Sequence, residues 1–190
     1  MAWIIIIVIF IVAFGPLLWL MPTPRERRLA RLRQQALQAG LRVELGRLPR
    51  SDPTPDQRVT AGGRALDLSR ECAVYQQPLA KRLRHLPPAR VLRGDLGAPA
   101  WPGWSFELGA KPEHPRLGAT LDALAALVDT LPDDVIALEW RGHEVGAYWL
   151  ESPGSGSESV PALASKLAAA AAALGALDAS LEPATDPGNI

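Results

Sequence analysis

The chain has 190 residues, and its 20 Lys and Arg are balanced by 20 Asp and Glu. A formal net charge of zero argues against a nucleic-acid binder, which needs a basic excess. Its single cysteine, Cys72, excludes a disulfide framework and implies no oxidising compartment.

No charged residue occurs from Met1 to Met21. Twenty-one helical residues span roughly 31 Å, close to the hydrocarbon thickness of a bilayer. Trp3 and Trp19 fall near the two ends, where indole rings prefer the headgroup zone. Pro16 predicts a kink, which spanning helices tolerate. A cleaved signal peptide fits poorly: the start has no Lys or Arg, and "LLWLMP" offers no small-x-small site. Residues 1–22 are therefore expected to be an uncleaved transmembrane anchor. Arg25, Arg27, Arg28, Arg31 and Arg33 follow at once, and nothing basic precedes it. Basic flanks stay cytoplasmic, so the N-terminus is expected outside and the rest inside. Seventeen Arg against three Lys, with abundant Ala, Leu, Gly and Pro, suggests a GC-rich bacterial genome and a bacterial inner membrane. About 150 residues remain for one modest domain.

"PTPRERR" predicts a helix start. Thr23 is the N-cap, Pro24 the first helical residue, and Glu26 closes a capping box. This basic juxtamembrane helix, residues 23–40, should run to about Ala39 and stop at Gly40. Leu29, Leu32, Ala36 and Leu37 form its apolar stripe; the arginines could also touch anionic headgroups. In "LRVEL", Leu41, Val43 and Leu45 alternate with charge, the pattern of a half-buried strand. An N-out anchor, a short basic helix ending in "ALQAG" and then "LRVEL" resembles, over residues 1–48, the small accessory subunit of the bacterial preprotein translocase, the YajC family. The resemblance implies an accessory role beside that complex; it assigns no functional residue.

Residues 49–70 read as a long surface loop, and "ECAVYQQPL" as a strand. "AKRLRHLPP" reads as a short basic helical turn and "ARVLRG" as a strand. Lys81, Arg82, Arg84, His85, Arg90 and Arg93 make a second basic cluster, for solvent, an anionic membrane face or an acidic partner. Trp101 and Trp104 lie in a Pro/Gly-rich loop leading into the strand "WSFEL". Trp104 is in phase with that strand. Trp101 is held off it by Pro102 and Gly103, which makes it the candidate interface anchor.

Leu117, Leu121, Leu124, Val128 and Leu131 recur at helical spacing between Pro115 and Leu131. "VIALEWRGHEVGAYWLE" predicts a hairpin with Gly142–His143 as its turn, so that Arg141 faces Glu144 and Trp140 faces Val145. Ile136, Leu138, Trp140, Val145, Ala147 and Trp149 should share one face, and Val135, Ala137, Tyr148 and Leu150 the other. Residues 153–158 read as a linker, Ser159 as the cap of a last helix, and 183–190 as a tail.

The fold class expected is α+β: one N-terminal transmembrane helix, then a domain over residues 41–152 and 159–182 with a mixed or antiparallel sheet and two to three packed helices. Its histidines lack metal-ligand spacing, Cys72 lacks a CxxC partner, and no nucleophile-elbow, zincin, kinase or Walker motif occurs. No catalytic, metal-binding or cofactor-binding residue is therefore assigned, and the chain is not read as an enzyme. The function expected is an interaction or scaffold module whose partners are the bilayer and another membrane protein or complex. The alternatives are the translocase accessory role and a membrane-tethered sensor or enzyme with a pocket near Cys72, Tyr75 and Trp101.

Overall fold

The computed structural model describes Trp3 and residues 23–49, 69–95, 97–107, 109–156 and 158–181. The rest of the expected anchor, residues 50–68 and the tail 183–190 lie outside the described residues. The protein is α+β. Seven strands, β1 Arg42–Pro49, β2 Ser69–Pro78, β3 Ala89–Arg93, β4 Pro99–Trp101, β5 Trp104–Phe106, β6 Val135–Arg141 and β7 Glu144–Trp149, form one sheet in the order β1-β2-β7-β6-β3-β5-β4. All its pairings are antiparallel. Among the described residues three helices, α1 Pro24–Gln38, α2 Leu117–Val128 and α3 Ser159–Ser180, contribute their buried apolar side chains to one core cluster.

Helix α1 starts as its sequence dictates. The Thr23 hydroxyl accepts from the Glu26 amide, and the Glu26 carboxylate accepts from the Thr23 amide at 2.6 Å. Gly40 stops the chain at φ 82°, a left-handed conformation that costs glycine little. Leu32 and Ala36 are buried in the main core, so this helix belongs to the domain rather than standing apart from it at residue 40. Leu37 leaves the expected stripe and is exposed.

The central hairpin forms in the expected register, with Arg141 opposite Glu144 and Trp140 opposite Val145. A bulge between Val135 and Ala137 changes the assignment at its far end. The extra residue reverses the alternation, so Val135 joins the helix-covered face and Ile136 the opposite one. Leu41, just before β1, is buried, but Leu45, opposite the small Ala73 on this edge strand, is exposed.

Two expected local structures are corrected. Residues 79–88 are not helical; they cross the hairpin tip, where the Leu79 amide donates to the His143 carbonyl and the Leu83 amide to the Gly142 carbonyl. The Asp178 carboxylate draws the amides of Arg84, His85 and Leu86 onto itself, and Pro87 and Pro88 end the stretch. Those amides therefore have a partner outside any helix. Trp101 is not in an open loop but ends β4 and pairs with Trp104 across a Pro102–Gly103 turn. Gly103 sits at φ 72°, as a type II turn requires after proline.

Ser159 is the first residue of α3 rather than its cap, and no side-chain bond caps that end. By length and composition α3 could cross a membrane. Here Val160, Leu163, Leu167 and Leu174 are buried against the sheet.

Candidate functional site

The five arginines after the expected anchor do not form one solvated group. Arg28 and Arg33 reach across the sheet to the turn after β7. One Arg28 nitrogen donates to the Ser152 carbonyl at 2.7 Å and the Ser155 carbonyl at 2.9 Å; the other donates to the Glu151 carbonyl at 2.6 Å. The Arg33 guanidinium grips the Glu151 carboxylate with two bonds, at 3.0 and 2.7 Å. This fork geometry suits arginine. Glu151 takes a left-handed backbone, φ 51°, unusual for a residue with a Cβ. That conformation accompanies engagement of both its ends, carbonyl on Arg28 and carboxylate on Arg33.

The clamp extends into the core. The fully buried Tyr75 hydroxyl donates to Glu151 at 2.8 Å, and the Tyr75 ring meets Trp149 edge-on at 5.1 Å. Burial, and then the bond to Glu151, push the Tyr75 phenol well above its ordinary value. The bond to Glu151 likewise raises the Arg33 guanidinium. Asp134 completes the turn by accepting from the Ser152 amide and the Ser155 hydroxyl. Residues 152–155, read from sequence partly as linker, are thus pinned on two sides. Beside them, Arg25, Arg28, Arg70, Glu71 and the 150–153 turn line a cleft of about 490 Å³.

Arg25, Arg27 and Arg31 remain exposed. The sequence signal for splitting the five is the helical position of Arg28, four residues before the buried Leu32 and eight before the buried Ala36; Arg33 carries no such signal, since Arg31 adjoins Leu32 equally. The partner Glu151, 118 residues away, leaves no local trace in the sequence.

The opposite face of the sheet carries a smaller cluster of Leu48, Cys72, Val74, Leu92, Ala137 and Tyr148. Above it, Arg90 pairs with Glu139 at 3.3 Å and Glu107 at 3.4 Å and lies over the Tyr148 ring. The Tyr148 hydroxyl donates to Glu139. Burial raises the Cys72 thiol, with Arg90 opposing; a raised thiol is a poor nucleophile at neutral pH.

This arrangement dismantles the expected pocket near Cys72, Tyr75 and Trp101. Cys72 and Tyr75 are three residues apart on one strand, so they point to opposite faces. Trp101 sits half-buried on the helix side, with its ring 6.3 Å from Trp140 and its indole N–H donating to the Leu121 carbonyl at 3.2 Å. The second basic cluster also divides. Arg90 is paired as above, and Arg93 lies over the Trp104 ring and donates to the Val135 and Pro132 carbonyls.

No family model, curated protein or solved structure matches the chain.

Proposed function

We propose that the protein is a single-pass scaffold of a bacterial inner membrane, with residues 1–22 as the anchor, its N-terminus outside and its α+β domain at the cytoplasmic surface. The observation that carries this reading is the Arg28/Arg33–Glu151 clamp. A helix that begins at Pro24, just after an apolar run of sequence, is locked onto the domain by two arginines and by Leu32 and Ala36. The first element after the expected anchor is therefore part of the domain and not a loose linker. A module held in one orientation suits the presentation of a surface to a neighbouring membrane protein. The order of helix Pro24–Gln38 and strand Arg42–Pro49 keeps the preprotein translocase as the alternative partner.

Topology is tested with a reporter active only in the periplasm, fused after Ile190. It should be silent, and activity would overturn the orientation. Replacing Arg25, Arg27 and Arg31 with Gln should give mixed orientation, because basic residues flanking a span hold it to the cytoplasmic side. The exposed three are the clean choice, since Arg28→Gln and Arg33→Gln would also break the clamp. A stoichiometric membrane partner copurifying in mild detergent is expected; a monomer carrying a small metabolite would favour the sensor reading.

A further inference from the structure

The hairpin tip at the far end of β7 carries a second cleft, of about 440 Å³, lined by Lys81, Arg82, Arg84, His85, His143 and the last turn of α3. None of these five side chains has a partner among the described residues. The two carboxylates near the tip are already engaged: Asp178 by the amides of residues 84–86, and Glu144 by Arg141 at 3.0 Å. Three positive charges, Lys81, Arg82 and Arg84, thus outnumber the single carboxylate that lines the cleft, Asp178, whose oxygens are already taken by backbone amides.

We propose that this cleft binds an acidic peptide segment of a protein partner, which rests on the membrane-tethered reading above and names the partner's chemistry. Two observations choose this ligand. The first is position. The helix leaving the anchor is clamped at Glu151, and the cleft lies at His143, eight residues back along β7. At about 3.3 Å per residue that is roughly 25 Å, some three screening lengths at physiological ionic strength. A headgroup beside the clamped end of the strand is thus beyond its electrostatic reach, and the lipid arm of the test below decides for the rest of a bilayer.

The second is the donor set. The three consecutive amides that could have cradled one phosphate are held by Asp178, which is itself buried. Recognition falls to exposed, spread side chains, which match spaced carboxylates along an extended segment.

The test uses the full chain in lipid nanodiscs and a fluorescein-labelled oligo-glutamate peptide, read by anisotropy. Binding should weaken as salt rises. The variant Lys81→Glu, Arg82→Glu, Arg84→Glu should weaken it by about tenfold or more, as reversing a complementary patch does. The charge-matched control Arg42→Glu, Arg47→Glu, Arg116→Glu, all exposed sites elsewhere, should bind as the parent does. Equal loss in both variants would mean attraction by general charge and overturn the proposal. Displacement by inorganic phosphate would make this a small-anion site. Displacement by anionic but not zwitterionic nanodisc lipid would put the cleft on the bilayer. Either result overturns the proposal. The measurement does not depend on which side of the membrane the domain occupies, so its failure and an active periplasmic reporter are separate results.

Discussion

Glu151→Ala should be among the most costly polar substitutions in this domain. The residue is 7% exposed, and its carboxylate takes two bonds from Arg33 and one from Tyr75. The two partners fare differently when it goes. The Arg33 side chain is 33% exposed and can turn to water, so the ion pair itself contributes about 0.5–1 kcal/mol after screening. Tyr75 is fully buried, and its orphaned hydroxyl costs about 1–3 kcal/mol. The sum is about 1.5–4 kcal/mol. Urea denaturation of a fragment starting at Thr23, followed by circular dichroism, measures it. Adding Tyr75→Phe to Glu151→Ala removes the orphan, so the second change should be neutral or stabilising there, though it destabilises the parent. The cycle should show a coupling of about 1–2 kcal/mol. Glu151→Gly should lose less than Glu151→Ala by about 1 kcal/mol, because glycine accepts φ 51° without strain. An Ala variant within about 0.5 kcal/mol of the parent, or additive effects in the cycle, would refute this account of the clamp.

Alkaline pH should expose the same bond. The Tyr75 and Tyr148 phenols are both raised above their ordinary value of 10.0, chiefly by burial and then by their carboxylate partners Glu151 and Glu139. Above that value the unfolded chain loses protons that the folded chain keeps, so stability present at lower pH is lost as pH rises, by about 1.4 kcal/mol per pH unit per tyrosine. The stability gap between parent and Tyr75→Phe should therefore close at that rate in denaturation series above about pH 10; a constant gap would deny the shift. Trp101→Ala should cost about 2 kcal/mol, below the 3–5 of a fully buried aromatic, because the ring is half-exposed. An unchanged stability with lost partner capture would return Trp101 to the interface role expected from sequence.

Where neighbours in sequence carry the physics, the structure follows the sequence closely. The capping box at Thr23 and Glu26, the Gly40 stop and the 142–143 hairpin register are each decided within a few residues. What could not be read depends on distant partners. Residues 81–86 have a helical composition, yet Asp178, more than ninety residues on, takes their amides and holds them in an open turn. The bulge near Ile136 follows from pairing with β7, and no local residue announces it. Arg28, Arg33, Arg90 and Arg93 looked like the other surface arginines. Their partners are carbonyls and carboxylates brought close by the sheet order.

The sheet order also bears on whether the two ends of the domain can act independently. The central hairpin, β6 and β7, is flanked by β2 and β3, and residues 79–88 join those flanking strands across its tip. The clamp at Glu151 and the basic cleft at His143 therefore sit on opposite ends of one strand, with Val145, Ala147 and Trp149 between them fully buried. Through the described residues, each step from the Thr23 capping box along α1, through Arg33 to Glu151, and back along β7 to the cleft is a packed element or a hydrogen bond. A ligand in the cleft would thus be held at a set position relative to α1, about one strand's length from the clamp. That property distinguishes a scaffold from a tether. A tether raises a partner's local concentration and tolerates loss of the clamp, whereas a scaffold also needs the angle that the clamp maintains.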